Sequence, residues 1–228
     1  MKATLDNNHK IIALHGFLGS PKDFKSLKLN NLYAPYLYAM TTSSLEHWVN
    51  NFDQFVKNNC VLMGYSLGGR LALHALLKSP HKYKAAIIIA AHPGLKYEHD
   101  RIERLKTDYI RSRWFLEHDF DYALNLWNSL AIFKDSQTLK ISKNEVCTKT
   151  LALMLNNFSL GKQEYLVPKI NKLSLPILWL CPYSERSNVA EVKLCHSLSK
   201  IIFVNYSHRL LQNFKEISTY CENFLSKI

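Results

Sequence analysis

Gly64-Tyr65-Ser66-Leu67-Gly68 sets a serine between two glycines, each two positions away. This G-x-S-x-G spacing carries chemistry in one context, a sharp strand-to-helix turn that lifts the serine hydroxyl to the amino end of the helix. CVLM before it (60–63) and RLALHALLKS after it supply that strand pattern and that helix pattern. A serine hydroxyl is a poor nucleophile until a base takes its proton, so an orienting acid and then a histidine are expected further along the chain. Of ten histidines, His208 is the one that follows the last strand pattern, KIIFVN (200–205); His196 precedes it in a stretch that reads as helical. The loop after PILWLC (176–181) holds one carboxylate, Glu185, placed to fix the imidazole tautomer, with Ser187 and Asn188 as alternatives in the same loop. An oxyanion needs two backbone N–H donors. Those of Leu67, just after the serine, and Phe17, in His15-Gly16-Phe17, are the candidates. The bland alternatives are an incidental serine in a turn, a surface histidine and a solvated loop carboxylate.

These residues need elements to hold them. KIIAL (10–14), CVLM, AAIIIAA (85–91), PILWLC and KIIFVN are short, almost wholly apolar runs, separated by helix patterns. Apolar strands alternating with helices imply an α/β fold, a mostly parallel sheet covered on both faces. Glycine is scarce, at about 3% against a usual 7% or so, yet five of the seven sit in LHGFLGS and MGYSLGGR, the two stretches assigned chemistry. Some 80 residues between the strands at 85 and 176 lack a strand pattern. They include ERLKTDYIRSRWFLEH and TLALMLNNFSL, which read as amphipathic helices. The expectation is one domain over 1–228 with a helical cap inserted at about 95–170, and a terminal helix from Asn213 to Ile228.

Composition narrows the function. The 29 Lys and Arg outnumber the 18 Asp and Glu, leaving +11, so the surface should attract anions. Five cysteines without a C-x-x-C pair fit reduced thiols better than a disulfide or zinc framework. MKATLDNNHK has no apolar signal core, and no apolar run approaches the roughly 18 residues of a membrane span. A soluble, cytoplasmic protein is expected, needing no metal or cofactor and binding neither membrane nor nucleic acid, for which net charge is the only support. Of seven arginines, four lie at 101, 104, 111 and 113, and a helix puts 101, 104 and 111 roughly on one face. That face is either solvated or a carboxylate reader.

LHGFLGS and GYSLGGR make the chain resemble the α/β-hydrolase superfamily over nearly its whole length. With AHPGL, RIERLKTDYIRSRWF and LALML they also resemble the 2-succinyl-6-hydroxy-2,4-cyclohexadiene-1-carboxylate synthase family of the menaquinone pathway. The resemblance implies that Arg70 and Arg104 bind substrate carboxylates, that Tyr65 and Trp127 line the site, and that Lys143 stands in for a further cap arginine. It also implies an acid ten positions along from a strand-opening proline; counting from Pro176 gives Glu185. The family's D-x-P-G-x-G loop is missing, since NLYAPYLYAM runs straight into TTSSLEHW. The activity implied is elimination of pyruvate from a small carboxylate-bearing substrate, with Ser66 as base. The alternatives are a carboxylesterase or thioesterase, including one acting on an acyl carrier protein conjugate in biotin synthesis, and a hydrolase fold that has lost catalysis and serves as a binding module.

Overall fold

The computed structural model describes residues 9–228; of the ten residues read for a signal core, 1–8 lie outside the described residues. The first half of the chain builds β1 (Ile11–Leu14), β2 (Leu32–Tyr33), α1 (Leu45–Phe55), β3 (Cys60–Tyr65), α2 (Leu67–Lys78) and β4 (Tyr83–Ile89). Four helices follow before the next strand: α3 (Glu98–Glu117), α4 (Phe120–Asn128), α5 (Thr148–Asn157) and α6 (Val167–Ile170). β5 (Ile177–Pro182), β6 (Lys200–Val204) and α7 (Phe214–Leu225) complete the chain. The strands form one sheet in the order β2-β1-β3-β4-β5-β6, parallel at every pairing.

Strand periodicity explains the apolar runs. Along β3, Cys60 and Leu62 face the layer of α1 and α2, packing near Trp48, Phe52 and Leu71, while Val61 and Met63 face Phe24 and α7's Ile217 and Cys221. β4 and β5 alternate in the same way, with Ala86, Ile88 and Trp179 on one face and Ile87, Ile89 and Leu180 on the other. A strand covered twice has no polar side to show, so its sequence is apolar throughout. α3, α4 and α5 share a third core of Phe115, Phe120, Leu124, Trp127, Leu151 and Leu155, which Leu18 of the β1 loop also enters. α6 turns back, and Val167 and Ile170 join the core on the α1–α2 side.

NLYAP contains the two-residue β2, which pairs with β1; a strand this short and partly exposed leaves no periodic pattern to read. One local expectation is corrected. His196 lies in a turn, its Nδ1 accepting from Leu198 N–H at 3.1 Å, and not in a helix.

Candidate active site

Ser66 sits at the β3–α2 turn with φ 52° and ψ −113°, in the left-handed region that a non-glycine residue enters only at a cost of about 1–3 kcal/mol. The flanking glycines make the turn possible. A Cβ at Gly68 would lie 2.0 Å from the Leu14 carbonyl oxygen, and one at Gly64 2.5 Å from that of Gly68. The Ser66 hydroxyl lies 2.7 Å from His208 Nε2, and His208 Nδ1 lies 2.8 Å from Glu185 Oε1. An ionised carboxylate only accepts, so Nδ1 carries the proton and Nε2 is free to accept the serine's. The histidine arrives on the loop after β6, and Glu185 on the 3-10 helix Tyr183–Val189 after β5.

The loop after β1 approaches from the other side. At Gly16 a Cβ would meet the Tyr65 ring at 3.1 Å and Ser66 Cβ at 3.4 Å, so glycine lets this backbone reach the serine. His15, wholly buried, fixes the loop: Nδ1 donates to the Gly16 carbonyl at 2.8 Å, and Nε2 accepts from Leu37 N–H at 3.0 Å. Burial pushes its imidazole down to about 4, so it stays neutral in both roles. Leu67 opens α2, where first-turn amides have no partner within the helix, and Leu67 and Phe17 line one cavity together with Ser66.

Two chambers meet at Phe17, Ser66, Trp127, Phe133 and His208. The larger, about 280 Å³, is lined by Arg70, Arg104, Arg111, Asp108 and His92. Arg104 donates Nε to both oxygens of Asp108 at 2.9 Å, Arg111 reaches the same carboxylate at 3.4 Å, and Ser159 adds a hydroxyl at 2.8 Å. Arg70 makes one side-chain hydrogen bond, to the Phe158 carbonyl at 2.9 Å. Burial, with Arg104 nearby, pushes its guanidinium down to about 9; burial and the two arginines push His92 down to about 4. Three guanidinium groups against the two carboxylates Asp108 and Glu185 leave this chamber cationic. The smaller chamber, about 180 Å³, is mainly apolar, with Tyr65, Leu139 and Leu211 beyond the shared aromatics. Among the described residues no group of three or more His, Cys, Asp or Glu side chains could hold a metal ion.

No family model matches the sequence. Among curated proteins the chain is 27% identical over 248 residues to a putative 2-succinyl-6-hydroxy-2,4-cyclohexadiene-1-carboxylate synthase of Haemophilus influenzae, covering 96% of this chain and 98% of that one. A protein of that name from Pectobacterium atrosepticum is 30% identical over 54% of this chain and 51% of its own length. Among solved structures, MenH from S. aureus superposes with a TM-score of 0.81 at 19% identity, over 100% of this chain and 97% of that one. An esterase from Thermogutta terrifontis gives 0.65 at 12% identity, over 95% and 89%. The chain is an enzyme with the α/β-hydrolase fold.

Within this hydrolase fold the structure brings together Ser66, His208, Glu185, Phe17, Leu67, Tyr65, Arg70, Arg104 and Trp127. Tyr65 serves the apolar chamber and donates its hydroxyl to the His208 carbonyl at 3.3 Å. Trp127 stands 4.6 Å from the Phe17 ring. Asn188 lines the arginine chamber and Ser187 is exposed, but it is Glu185 that meets the imidazole. Lys143 is a correction. It opens a one-turn 3-10 helix on the outer surface, where Glu145 pairs with Lys22, and lines neither chamber. Arg111 is the third cation there, its guanidinium 5.9 Å from the Trp127 ring. Arg101 lines neither chamber; its carbonyl lies where the backbone at Gly161 crosses α3. Reading for arginines alone missed Asp108, although it stands one turn from Arg104 on the same face.

Proposed function

We propose that the chain acts on a small substrate bearing carboxylates and eliminates pyruvate from it, as its resemblance to the synthases implies. The observation that carries this reading is the arginine chamber opening directly onto Ser66 and His208. Arg70 and Arg104 hold carboxylates through charge-assisted hydrogen bonds, with Arg111 adding to the field. His208 takes the Ser66 proton, and the serine oxygen removes a proton from a substrate carbon. The electrons of that C–H bond form the new C=C bond, the C–O bond to the enolpyruvyl group breaks, and the departing enolate takes up the proton held by His208 and leaves as pyruvate. The amides of Phe17 and Leu67 stabilise the oxyanionic charge that develops. No acyl-enzyme forms.

The apolar chamber favours a second reading, hydrolysis of an ester or thioester whose apolar part lies among Tyr65, Leu139 and Leu211. There Ser66 attacks the carbonyl carbon, the alcohol or thiol leaves with the proton from His208, and water releases the acid. An acyl carrier protein conjugate would be drawn by the +11 surface. No helix among the described residues is long and apolar enough to cross a membrane, and we place the activity in the cytoplasm.

The experiment measures pyruvate release from the synthase's substrate beside p-nitrophenyl acetate hydrolysis, with fluorophosphonate labelling of the serine. Pyruvate release dominating by kcat/KM supports elimination; ester turnover without pyruvate supports hydrolysis. Ser66→Ala should abolish labelling and turnover, leaving on the order of 10³ to 10⁴ over water from binding and the oxyanion hole. Labelling at another residue would sink the assignment.

A further inference from the structure

The residue after the histidine is an arginine, and it is buried, at 7% exposure. Its recorded partners are neutral. Nη1 donates to the Gln137 carbonyl at 2.7 Å, Nη2 donates to Asn128 Oδ1 at 2.6 Å, and the guanidinium lies 4.2 Å from the centre of the Phe133 ring. Among the described residues it has no carboxylate partner, and a buried cation so placed is expensive to keep, so plain packing does not explain it. All three partners belong to the stretch from the end of α4 through the segment that follows it.

The contacts tie two sides of the site together. Asn128 follows Trp127 and is itself held, accepting from Leu139 N–H and donating to the Leu139 carbonyl, both at 3.1 Å. Phe133 meets the His208 ring edge-on at 5.7 Å. Gln212 accepts from Gln137 N–H at 3.0 Å and donates to its carbonyl at 2.9 Å, and the Ser136 and Ser207 hydroxyls are bonded. On the histidine side, Arg209 is the centre of an inverse γ-turn, φ −80° and ψ 56°, closed by Leu210 N–H donating to the His208 carbonyl at 2.9 Å. A change in the side chain's anchorage therefore acts on the backbone that carries the imidazole.

We propose that Arg209 is a positioning residue, a latch that holds His208 between Ser66 and Glu185 by clamping the histidine loop to Asn128 and Gln137. The proposal rests on the reading of Ser66 and His208 as a proton-transfer pair. Because a misplacement of about 1 Å can cost on the order of a hundredfold, loosening the latch from either side should lower kcat while changing KM little.

The test follows p-nitrophenyl acetate turnover and fluorophosphonate labelling in Arg209→Met, Asn128→Leu and the double variant. Each single variant should lose roughly ten- to a hundredfold in kcat and labelling rate, with KM within about threefold. The double variant should be no worse than the poorer single one, since both cut the same contact. Asn128→Asp, which keeps an acceptor at the same place, should restore activity. NMR adds a readout independent of turnover: the downfield Nδ1 proton of the His208–Glu185 hydrogen bond should be present in the wild type and lost or broadened in Arg209→Met. If Arg209→Met does not fold, Asn128→Leu and Asn128→Asp carry the test from the other side. Singles that match the wild type, losses that multiply in the double variant, or an unchanged Nδ1 proton each overturn the latch. A wild type unlabelled at Ser66 overturns the proton-transfer reading, while the NMR signal still decides the latch.

Discussion

Arg70 offers an unusual pairing of consequences, lower activity with higher stability. Its amide bonds back to the Ser66 carbonyl at 3.0 Å, so it lies one turn beyond the serine. Arg104 and Arg111 share Asp108, whereas among the described residues the Arg70 side chain hydrogen-bonds only the Phe158 carbonyl. A guanidinium pushed down to about 9 is still charged at neutral pH, and Asp108, whose charge favours it, is held by Arg104 and Arg111, so a half-buried cation with no ion pair of its own is what a substrate carboxylate would complete. In Arg70→Met the substrate loses a charge-assisted hydrogen bond, about 1.5–3 kcal/mol. At about 1.4 kcal/mol per decade that is one to two decades of kcat/KM on a carboxylate-bearing substrate. Hydrolysis of p-nitrophenyl acetate, which has no carboxylate to read, should stay within about threefold of wild type.

Stability should move the other way. Replacing a half-buried charge that has no ion pair with hydrocarbon of similar volume should be neutral to stabilising, and each kcal/mol raises Tm by about 2–4 °C in a protein of this size. Arg104→Met is the contrast. It removes two of the four hydrogen bonds recorded for the Asp108 carboxylate, which is 2% exposed. Breaking a buried pair costs about 3–5 kcal/mol, here toward the low end or below because the Arg104 side chain is 32% exposed. Both variants should lose the anionic substrate, with Tm shifts of opposite sign. Equal losses on the neutral and anionic substrates would mean that the arginines hold the cap in place. A fall in Tm for Arg70→Met as large as for Arg104→Met would refute the view that its charge is unpaired.

Glu185→Gln should fold normally and lose on the order of 10² to 10⁴ in rate, as an amide beside Nδ1 no longer fixes the tautomer; steady-state kinetics with a circular dichroism control decides, and near-normal rates would move the role elsewhere. Acid should destabilise the protein through His15, whose imidazole burial pushes from 6.5 down to about 4. Between those values the unfolded chain binds the proton more readily, so this contribution is complete above about pH 6.5 and lost as pH falls toward 4. The gap corresponds to roughly 3 kcal/mol. Denaturant unfolding should show a shallower fall across that window in His15→Gln than in wild type; identical slopes would mean that His15 is protonated in the folded state.

What the sequence made legible is what local geometry dictates. Gly64, Ser66 and Gly68 were readable because the turn leaves no room for a side chain at either glycine, and the apolar runs of β3, β4 and β5 because strands covered twice have no polar face. His208 and Glu185 were readable from chain order, each placed just past a strand that ends at the same edge of a parallel sheet. Lys143 was not, because the position of a cap residue depends on how the core of Phe115, Phe120, Trp127, Leu151 and Leu155 sets the helices over the serine. Helical phase gives an angle and no depth. Arg101, Arg104, Asp108 and Arg111 follow one another at steps of three and four and share a stripe, yet the backbone at Gly161 crosses α3 beside Arg101, and only the later three reach the chamber. Arg209 was beyond reach for a further reason. Its partners Gln137 and Asn128 stand 72 and 81 positions earlier, and no spacing rule joins residues that meet only after the cap has docked. The local motif can therefore be read from the chain, but the arginine cluster beside Ser66 and the contacts of Arg209 both come from how the cap packs.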